Sequence, residues 1–228
     1  MNRVRRLRRR FVSCIAAVIM TTVTIPAGAG AQSAQDMIEL RGAIPGIFLD
    51  LRYATPANFT GEILYDTAAC FVRRGVAERL RGAWLELRSY GYALKVYDAY
   101  RPYAVTLRMW ELVGDPKYVA TPGNGSRHNR GAALDLTLVT LDGAELEMPS
   151  EFDDFSERAH HGYAGASAEA IRRRELLRDV MQRHGFVPHK NEWWHYDSAD
   201  WRSYPILDIS IRDLLAAAQS ATNKKSGG

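Results

Sequence analysis

Apolar residues recur at helical spacing in three parts of the chain. The first part, residues 73–90, has them at Val76, Leu80, Ala83, Trp84 and Leu87, and Gly91 follows as a stop signal. A second helix is predicted over residues 104–113. A third is expected to run from an N-terminal cap at Ser167 to His184, with Gly185 as the glycine that ends it.

Shorter stretches between these helices have the composition and alternation of strands. Residues 47–53 and 92–97 are rich in β-forming side chains, and a loop with Pro56, Asn58 and Gly61 follows the first of them. The strands and helices do not alternate in a regular β-α rhythm. The pattern therefore favours a single α+β domain over a doubly wound parallel sheet.

Residues 126–135, with the sequence SRHNRGAALD, enter a further predicted strand. Leu134 and its alternate neighbours Leu136 and Leu138 would face the core, so Asp135 would face the opposite side of the sheet. His128 belongs to the loop before the strand. Taken alone, the segment allows two interpretations: His128 caps a turn and Asp135 pairs with an arginine, or both residues bind a metal.

Composition and charge narrow the class of protein. The chain has 228 residues, of which 46% are hydrophobic and 25% charged, which suits one compact domain. Six arginines among the first ten residues account for its basic character, since without them the formal net charge falls from +4 to −2. No basic patch with interleaved aromatic residues remains, so nucleic-acid binding is not expected.

The first 31 residues are typical of a secretory signal peptide. They combine the arginine cluster, a short apolar run over residues 11–20 and small residues in A-x-A order, with cleavage expected near Ala29 or Ala31. We therefore expect an exported, periplasmic protein without a stable membrane anchor after cleavage. Residues 32–211 would form the domain and residues 212–228 an extension that starts as a short helix and ends in disorder. Cys70 would be the one cysteine of the mature chain.

A third candidate ligand decides between the two interpretations of His128 and Asp135. Near the end of the chain, Glu192 and His195 stand three residues apart in a polar and aromatic run. Two histidines and one carboxylate, with a free fourth position, are a ligand set of catalytic zinc, and a nearby carboxylate that is not a ligand can act as general base. On a regular strand Glu192 and His195 would face opposite sides, so the backbone there must twist, bulge or start the strand late.

These motifs resemble the signature of the LAS-type zinc peptidases, and most closely that of the VanX-type D-alanyl-D-alanine dipeptidases of peptidase family M15. Ser126-x-His-x-x-Gly-x-Ala-x-Asp135 and Glu192-x-x-His195 carry the resemblance. Further matching segments lie in the same order over residues 50–211: Asp50-Leu-Arg-Tyr-Ala-Thr55 with Asn58-Phe-Thr-Gly61, Asp98-x-Tyr-Arg-Pro102, Asp135-Leu-Thr-Leu138, Phe152-Asp153 with Ser156-Glu-Arg and His160-His161, and Glu192-Trp-Trp-His-Tyr196. The resemblance implies a small, mainly antiparallel sheet flanked by helices, as in the D,D-peptidases and their hedgehog fold relatives.

The resemblance also implies a role for each matching residue. One zinc ion per chain would be bound by His128, Asp135 and His195, with Glu192 as the general base. Arg101 would stabilise the oxyanion, because a guanidinium group is permanently charged and offers a rigid fork of donors. The remaining matches, Tyr53, Ser126 and Asp153, would hold the substrate, and Asp153 would pair with its ammonium group. Packing at a strand end, capping of a loop and an ion pair with Arg158 are the structural alternatives for these three residues.

The function implied is hydrolysis of the dipeptide D-Ala-D-Ala to two D-alanines, in cell-wall peptide turnover or in glycopeptide resistance. Two alternatives stay open. One is a peptidoglycan D,D- or L,D-carboxypeptidase or endopeptidase of the same fold. The other is a zinc-stabilised binding module without catalysis, for which neither Glu192 nor Arg101 would be needed. The oligomeric state is not predicted.

Overall fold

The computed structural model describes residues 36–226, so the predicted leader lies outside the described residues. The strands are β1 (Met37–Glu39), β2 (Phe48–Leu49), β3 (Phe71–Arg73), β4 (Tyr92–Asp98), β5 (Ala133–Thr140), β6 (Phe186–His189) and β7 (Glu192–Ser198). The helices are α1 (Leu40–Ala43), α2 (Arg74–Ser89), α3 (Tyr103–Val113), α4 (Ala168–Arg183) and α5 (Ile211–Ser226). Within residues 36–226, no helix has the length and apolar character needed to cross a membrane.

The three helices predicted from apolar spacing are confirmed as α2, α3 and α4. The caps of α4 follow from its sequence. The Ser167 hydroxyl accepts a hydrogen bond from the amide of Ala170 at 3.1 Å, and Gly185 takes the left-handed backbone conformation (φ 82°) just after the helix. Both groups satisfy backbone atoms that a helix end leaves without partners.

A five-stranded sheet with the order β2-β4-β5-β7-β6 forms the centre of the fold. Only the short edge strand β2 runs parallel to its neighbour, and the other pairs are antiparallel, so the expected α+β fold with a mainly antiparallel sheet is confirmed. Helices α2 and α4 contact each other as well as the sheet. The strands β1 and β3 form a separate antiparallel pair.

The predicted alternation of β5 secures the middle of the sheet. Leu134, Leu136 and Leu138 are fully buried in the main hydrophobic core. Burial of one leucine side chain stabilises a fold by about 1.5–3 kcal/mol, so these residues hold the strand firmly. Asp135 faces the other way and is also buried, with 4% of its surface exposed.

The register of the sheet places three polar residues in one row across neighbouring strands. Asp98 on β4 pairs with Asp135 on β5, after a register shift that follows Val96. Asp135 in turn pairs with His195 on β7. Residues far apart in sequence therefore meet because of strand pairing, at positions that hold two of the three predicted metal ligands.

The open question about Glu192 and His195 is answered by an irregularity between β6 and β7. Pro188 pairs with Tyr196, whereas the next residue, His189, pairs with Glu192. Residues 193–195 thus lie between two consecutive pairs of the ladder. This bulge breaks the two-residue period and allows side chains three positions apart to reach the same site.

The predicted strand over residues 47–53 is shorter than expected. Only Phe48–Leu49 pair with β4, and Arg52–Ala54 form a 3-10 turn. The carbonyl of Tyr53 accepts hydrogen bonds from the amides of Leu64 and Tyr65, both at 2.9 Å. The loop that follows therefore fixes the turn through long-range contacts, which alternation in the local sequence does not reveal.

The C-terminal segment forms a longer helix than the short one expected. Helix α5 starts at Ile211 and continues to Ser226. Ile211 and Leu214 are buried in the main core, whereas residues 219–223 are exposed. The first turn of this helix therefore packs as part of the domain.

Candidate active site

All eight residues predicted for the site line one cavity of about 200 Å³. They come from separate segments of the chain and are Tyr53, Arg101, Ser126, His128, Asp135, Asp153, Glu192 and His195. Aromatic side chains, among them Phe59, Tyr118 and Phe155, form part of the wall. The cavity is smaller than the roughly 300–1,000 Å³ of pockets that hold drug-sized ligands, so it suits a small molecule.

The three predicted metal ligands form one compact group. His128 Nε2 lies 3.2 Å from His195 Nδ1 and 3.4 Å from Asp135 Oδ2, and His195 Nδ1 lies 2.8 Å from Asp135 Oδ1. Zinc bonds of about 2.0–2.2 Å in a tetrahedron require ligand atoms about 3.3–3.5 Å apart. The observed spacing is close to this, so the group could hold a zinc ion after small movements of the side chains.

Hydrogen bonds on the outer nitrogens of both histidines support the same conclusion. His128 Nδ1 lies 2.6 Å from the carbonyl oxygen of Ala99, and His195 Nε2 lies 3.0 Å from Asp197 Oδ1. Both acceptors lack hydrogen, so each outer nitrogen can donate an N–H to its partner. In a neutral imidazole the inner nitrogen then presents a lone pair to the centre of the group, which is the arrangement of metal-bound histidine.

The carboxylate and the imidazoles of the group stabilise each other. Burial raises the pKa of the Asp135 carboxyl, but the charges and hydrogen bonds of His128 and His195 outweigh burial and hold that pKa below its usual range. For His195, burial lowers the pKa, whereas hydrogen bonds to Asp135 and Asp197 raise it, with a net increase. Asp135 is therefore ionised and can act as an anionic ligand.

Glu192 lies beside this group without joining it. Its Oε2 atom is 3.7 Å from His195 Nδ1, and 30% of its side chain is exposed to the cavity and solvent. A carboxylate at this position is close enough to exchange a proton with a water molecule bound at the centre of the group. The geometry therefore suits a general base that is not itself a ligand.

Arg101 is held in the cavity wall by the buried carboxylate of Asp98. Oδ2 of Asp98 accepts hydrogen bonds from Nε and Nη2 of Arg101, at 3.0 and 2.6 Å. The other oxygen of Asp98 accepts hydrogen bonds from the Tyr65 hydroxyl and from the amide of Ala99. Burial lowers the pKa of the guanidinium group, but the charge of Asp98 raises it, and the net change is an increase. Arg101 therefore stays a cation with a fixed orientation.

Tyr53 and Asp153 form a second polar group in the cavity wall, next to Arg101. The Tyr53 hydroxyl lies 3.2 and 3.3 Å from the two carboxylate oxygens of Asp153, and the Arg101 guanidinium lies over the Tyr53 ring. Burial, and then repulsion from Asp135, raise the pKa of the Asp153 carboxyl well above its usual value. Since the ionised form of Asp153 is disfavoured in this environment, a cationic ligand beside it would stabilise the carboxylate.

The backbone of Asp153 is strained as well. It is the one residue other than glycine with a positive φ among residues 36–226, at 60°. Aspartate and asparagine tolerate this left-handed conformation better than most residues, yet it is still uncommon. Arg158 pairs with Asp154 at 3.7 Å, so the ion pair considered for Asp153 is formed by its neighbour.

Ser126 has the capping contact expected of its structural alternative. Its hydroxyl accepts a hydrogen bond from the amide of His128 at 3.2 Å, and the residue also lines the cavity. The hydroxyl therefore supports the turn that carries His128 and can still contact a ligand.

Three polar residues at the site had no predicted role: Asp98, His189 and Asp197. His189 lies in the cavity wall with Nδ1 3.7 Å from Glu192 Oε2, although its sequence context indicated only a loop. Asp197 stands two residues after His195, so strand alternation could have placed both side chains on one face. The position of Asp98 opposite Asp135 depends on strand register and gave no comparable signal, although its ion pair with Arg101 is local.

Cys70 does not belong to the site. It is buried in the core as a free thiol, and burial raises its pKa well above the usual value, which suppresses the reactive thiolate. His184, expected at a helix end, lies 2.8 Å from Glu86 through its Nε2 atom and does not line the cavity.

Comparisons with known proteins show which proteins this chain is similar to. A family model described as D-ala-D-ala dipeptidase, of peptidase family M15, matches residues 33–210. A D-alanyl-D-alanine dipeptidase of Escherichia coli K12 is 35% identical over 172 residues, which cover 75% of this chain and 89% of the relative. One from Enterococcus faecalis is 33% identical over 184 residues, covering 70% and 89%. A solved structure of the LdcB LD-carboxypeptidase aligns with a TM-score of 0.43 at 18% identity, over 79% of this chain and 77% of that chain.

The family model covers most of the chain, and it includes every residue of the cavity described above. The E. coli relative exceeds 30% identity over nearly its whole length. This chain therefore belongs to the M15 family of D-Ala-D-Ala dipeptidases.

Proposed function

We propose that this protein is a zinc-dependent dipeptidase that hydrolyses D-alanyl-D-alanine to two molecules of D-alanine. The observation that carries the proposal is that one small cavity is lined by a zinc-type ligand group, by Glu192 beside this group and by Asp153. The names of the relatives support the choice of substrate and its stereochemistry. Zinc held by His128, Asp135 and His195 would supply a nucleophile at neutral pH by lowering the pKa of water to about 7.

The residues of the chain then divide the remaining work. Glu192 takes a proton from the attacking water and transfers it to the leaving amine. Arg101 binds the negative charge that develops on the carbonyl oxygen of the substrate, and because Asp98 already fixes its orientation, little reorganisation is needed in the transition state. Asp153 pairs with the ammonium group of the substrate, and Tyr53 and Ser126 contribute hydroxyl groups beside it.

The requirement for a free ammonium group distinguishes this function from hydrolysis of longer peptides. A substrate with an acylated amine would place a neutral amide against Asp153 and leave a buried carboxylate without a cation. We therefore expect the purified protein to cleave D-Ala-D-Ala and to cleave N-acetyl-D-Ala-D-Ala poorly. The names of the relatives also support poor cleavage of L-Ala-D-Ala, which has a free ammonium group but the other configuration at its first residue. Release of D-alanine measures all three reactions, and a preference for the acetylated peptide would overturn the role given to Asp153.

One observation favours a second candidate, a carboxypeptidase or endopeptidase acting on longer peptidoglycan stems. A separate cavity of about 260 Å³ shares Phe59 and Asp153 with the main one and extends toward Arg52. A longer peptide could pass Asp153 into this space if the side chain moved aside. Cleavage of a stem pentapeptide faster than of the free dipeptide would support this candidate.

We also propose that the protein works in the cell envelope, on dipeptide derived from peptidoglycan. The arginine cluster, apolar run and A-x-A residues of the first 31 residues support export. Cell fractionation, with determination of the mature N-terminus, tests this proposal. A start near Gly30 or Gln32 in the periplasmic fraction is expected, whereas an intact N-terminus in the cytoplasm would overturn it.

A further inference from the structure

The two histidines of the ligand group differ in what holds them. The outer nitrogen of His128 donates to a backbone carbonyl, that of Ala99, whereas the outer nitrogen of His195 donates to the side chain of Asp197. His128 Nδ1 also lies 3.5 Å from Asp98 Oδ2, but the backbone carbonyl is the nearer acceptor, at 2.6 Å. The outer nitrogen of His195 is held by a side-chain carboxylate, which a substitution can remove.

His195 stands between two carboxylates that compete for its ring proton. Asp135 Oδ1 lies 2.8 Å from the inner nitrogen, Nδ1, and Asp197 Oδ1 lies 3.0 Å from the outer nitrogen, Nε2. If the single proton of the neutral ring is on Nε2, then Nδ1 is free to bind a metal. If Asp135 holds it on Nδ1, the nitrogen that faces the ligand group is blocked.

Arg127 holds Asp197 from the other side. Its Nε atom lies 3.5 Å from Asp197 Oδ2, and its guanidinium group stacks on Trp201 at 4.9 Å from the ring centre. Because Arg127 directly precedes His128, the Arg127–Asp197 contact also ties the two ligand-bearing segments together.

From these contacts we infer that Asp197, held by Arg127, is a positioning residue that keeps the proton of His195 on Nε2 and so makes Nδ1 available to zinc. The inference rests on the proposed zinc site and extends it to residues outside the ligand group. Without Asp197, the hydrogen bond to Asp135 would retain the proton on Nδ1, and zinc would have to displace that proton before binding.

Zinc affinity of the full-length protein provides the main test, measured by competition with a chromophoric chelator. Asp197→Ala is expected to weaken zinc binding by roughly 10–100-fold, the usual range for loss of an outer hydrogen-bond partner of a metal ligand. Asp197→Asn keeps an oxygen that can accept from Nε2, so it is expected to lose less affinity than Asp197→Ala.

The tautomer itself is visible by NMR of ¹⁵N-labelled histidine in the zinc-free protein, at a pH where the ring is neutral. We expect the signals of His195 to change from protonated Nε2 in the wild type to protonated Nδ1 in Asp197→Ala. A merely structural role of Asp197 would leave the tautomer unchanged.

Matched controls separate positioning from general loss of stability. Asp200 lies three residues further on, and its carboxylate pairs with Arg79 at 2.7 Å and with the Ser198 hydroxyl at 2.6 Å, without contact to His195. Asp200→Ala should therefore keep wild-type zinc affinity. Arg127→Leu should weaken it less than Asp197→Ala does, and Arg202→Leu, which removes another guanidinium from the face of Trp201, should leave it unchanged.

The outcomes distinguish this inference from the proposed function. If wild-type protein hydrolyses D-Ala-D-Ala and Asp197→Ala binds zinc as tightly as wild type, the inference is wrong and the function stands. The inference is also wrong if Asp200→Ala loses as much zinc affinity as Asp197→Ala does. If the wild type binds zinc and Asp197→Ala weakens that binding, but no D,D-peptide is cleaved, the inference stands and the proposed function falls.

Discussion

One part of the cavity, which we call the strand end, contains the ligand group and is built by paired strands and by the 3-10 turn of His128 before β5. Another part, which we call the loop end, contains Tyr53 and Asp153. Asp135 and His195 are cross-strand neighbours on β5 and β7, and Asp98 extends the row onto β4. Tyr53 lies in a 3-10 turn, and Asp153 lies in a loop, with a strained backbone. The first end has its geometry fixed by the sheet, and the second by contacts between side chains.

This difference corresponds to two chemical tasks. Bond cleavage requires groups that are fixed relative to one another, and rigid strands provide this. Selection of the substrate requires one carboxylate that is unfavourable when alone and favourable when it meets a cation. The strand end should therefore control turnover, and the loop end should control which substrate is accepted.

Replacement of Glu192 by alanine is the most severe test of the strand end. Because Glu192 lies beside the ligand group without being one of the three ligands, Glu192→Ala should lower kcat by roughly 10²–10⁴-fold, the usual contribution of a general base. Zinc content, measured by atomic emission, should stay at the wild-type level. His195→Ala is the contrasting variant and should lose zinc as well as activity. Near-wild-type turnover by Glu192→Ala would exclude the proposed mechanism.

Arg101→Lys should also act on turnover. The change keeps a positive charge but removes the fork of donors that Asp98 orients, so we expect kcat to fall by roughly 10²–10³-fold, as when an oxyanion donor is lost. Steady-state kinetics with D-Ala-D-Ala checks this. Arg52→Lys is a matched control because Arg52 pairs with Asp50 and does not line the main cavity. Equal losses in both variants would indicate a general effect of the arginine substitutions.

Asp153→Asn addresses the loop end. Asparagine tolerates the left-handed backbone, so the variant removes the charge and keeps the shape. We expect kcat/KM for D-Ala-D-Ala to fall by roughly 10–100-fold, corresponding to a hydrogen bond between charged groups worth about 1.5–3 kcal/mol. The N-acetylated dipeptide should be affected less, so the preference for the free amine should shrink.

Two neighbouring substitutions sharpen the test of Asp153. Tyr53→Phe removes the hydroxyl next to the carboxylate and leaves the charge, so a loss of roughly 2–10-fold is expected, as for a neutral hydrogen bond. Asp154→Asn removes the adjacent carboxylate, which pairs with Arg158 outside the main cavity, and should not change the preference. An unchanged preference in Asp153→Asn would place recognition of the ammonium group elsewhere.

The smallest effect should be seen in the stability of the zinc-free protein. The raised pKa of Asp153 means that the folded chain keeps this proton at a pH where the unfolded chain, with an ordinary value of about 3.9, has released it. The folded state therefore loses stability as the pH rises from about 4 toward the folded pKa. Asp153→Asn should be more stable than wild type at neutral pH, and thermal unfolding should show the difference vanish near pH 4. A constant difference across this range would contradict the role of charge.

The strand end of the cavity is largely predictable from the sequence, and the loop end is not. Alternation around Leu134 indicates the direction of Asp135, and the combination of two histidines with a carboxylate indicates the ligand group. Asp153 lies in a segment without periodicity, and Tyr53 lies where the predicted strand is replaced by a 3-10 turn, so only resemblance to a known family points to them. The pairing of Asp98 with Asp135 cannot be predicted because it depends on the register of distant strands, although the ion pair of Asp98 with Arg101 spans only three residues.

The bulge between β6 and β7 makes the length of this segment a condition of the chemistry. Residues 193–195 occupy the space between two consecutive pairs of the ladder, which brings Glu192 and His195 to one cavity. If this segment were straightened to a regular strand without a change of length, Glu192 and His195 would point to opposite faces of the sheet. Deletion of one residue between them would restore a common face, but it would shift the strand by one position, so that either the pairing of His195 with Asp135 or that of Glu192 with His189 would be lost. Both the bulge and the number of residues in it are therefore needed for the reaction.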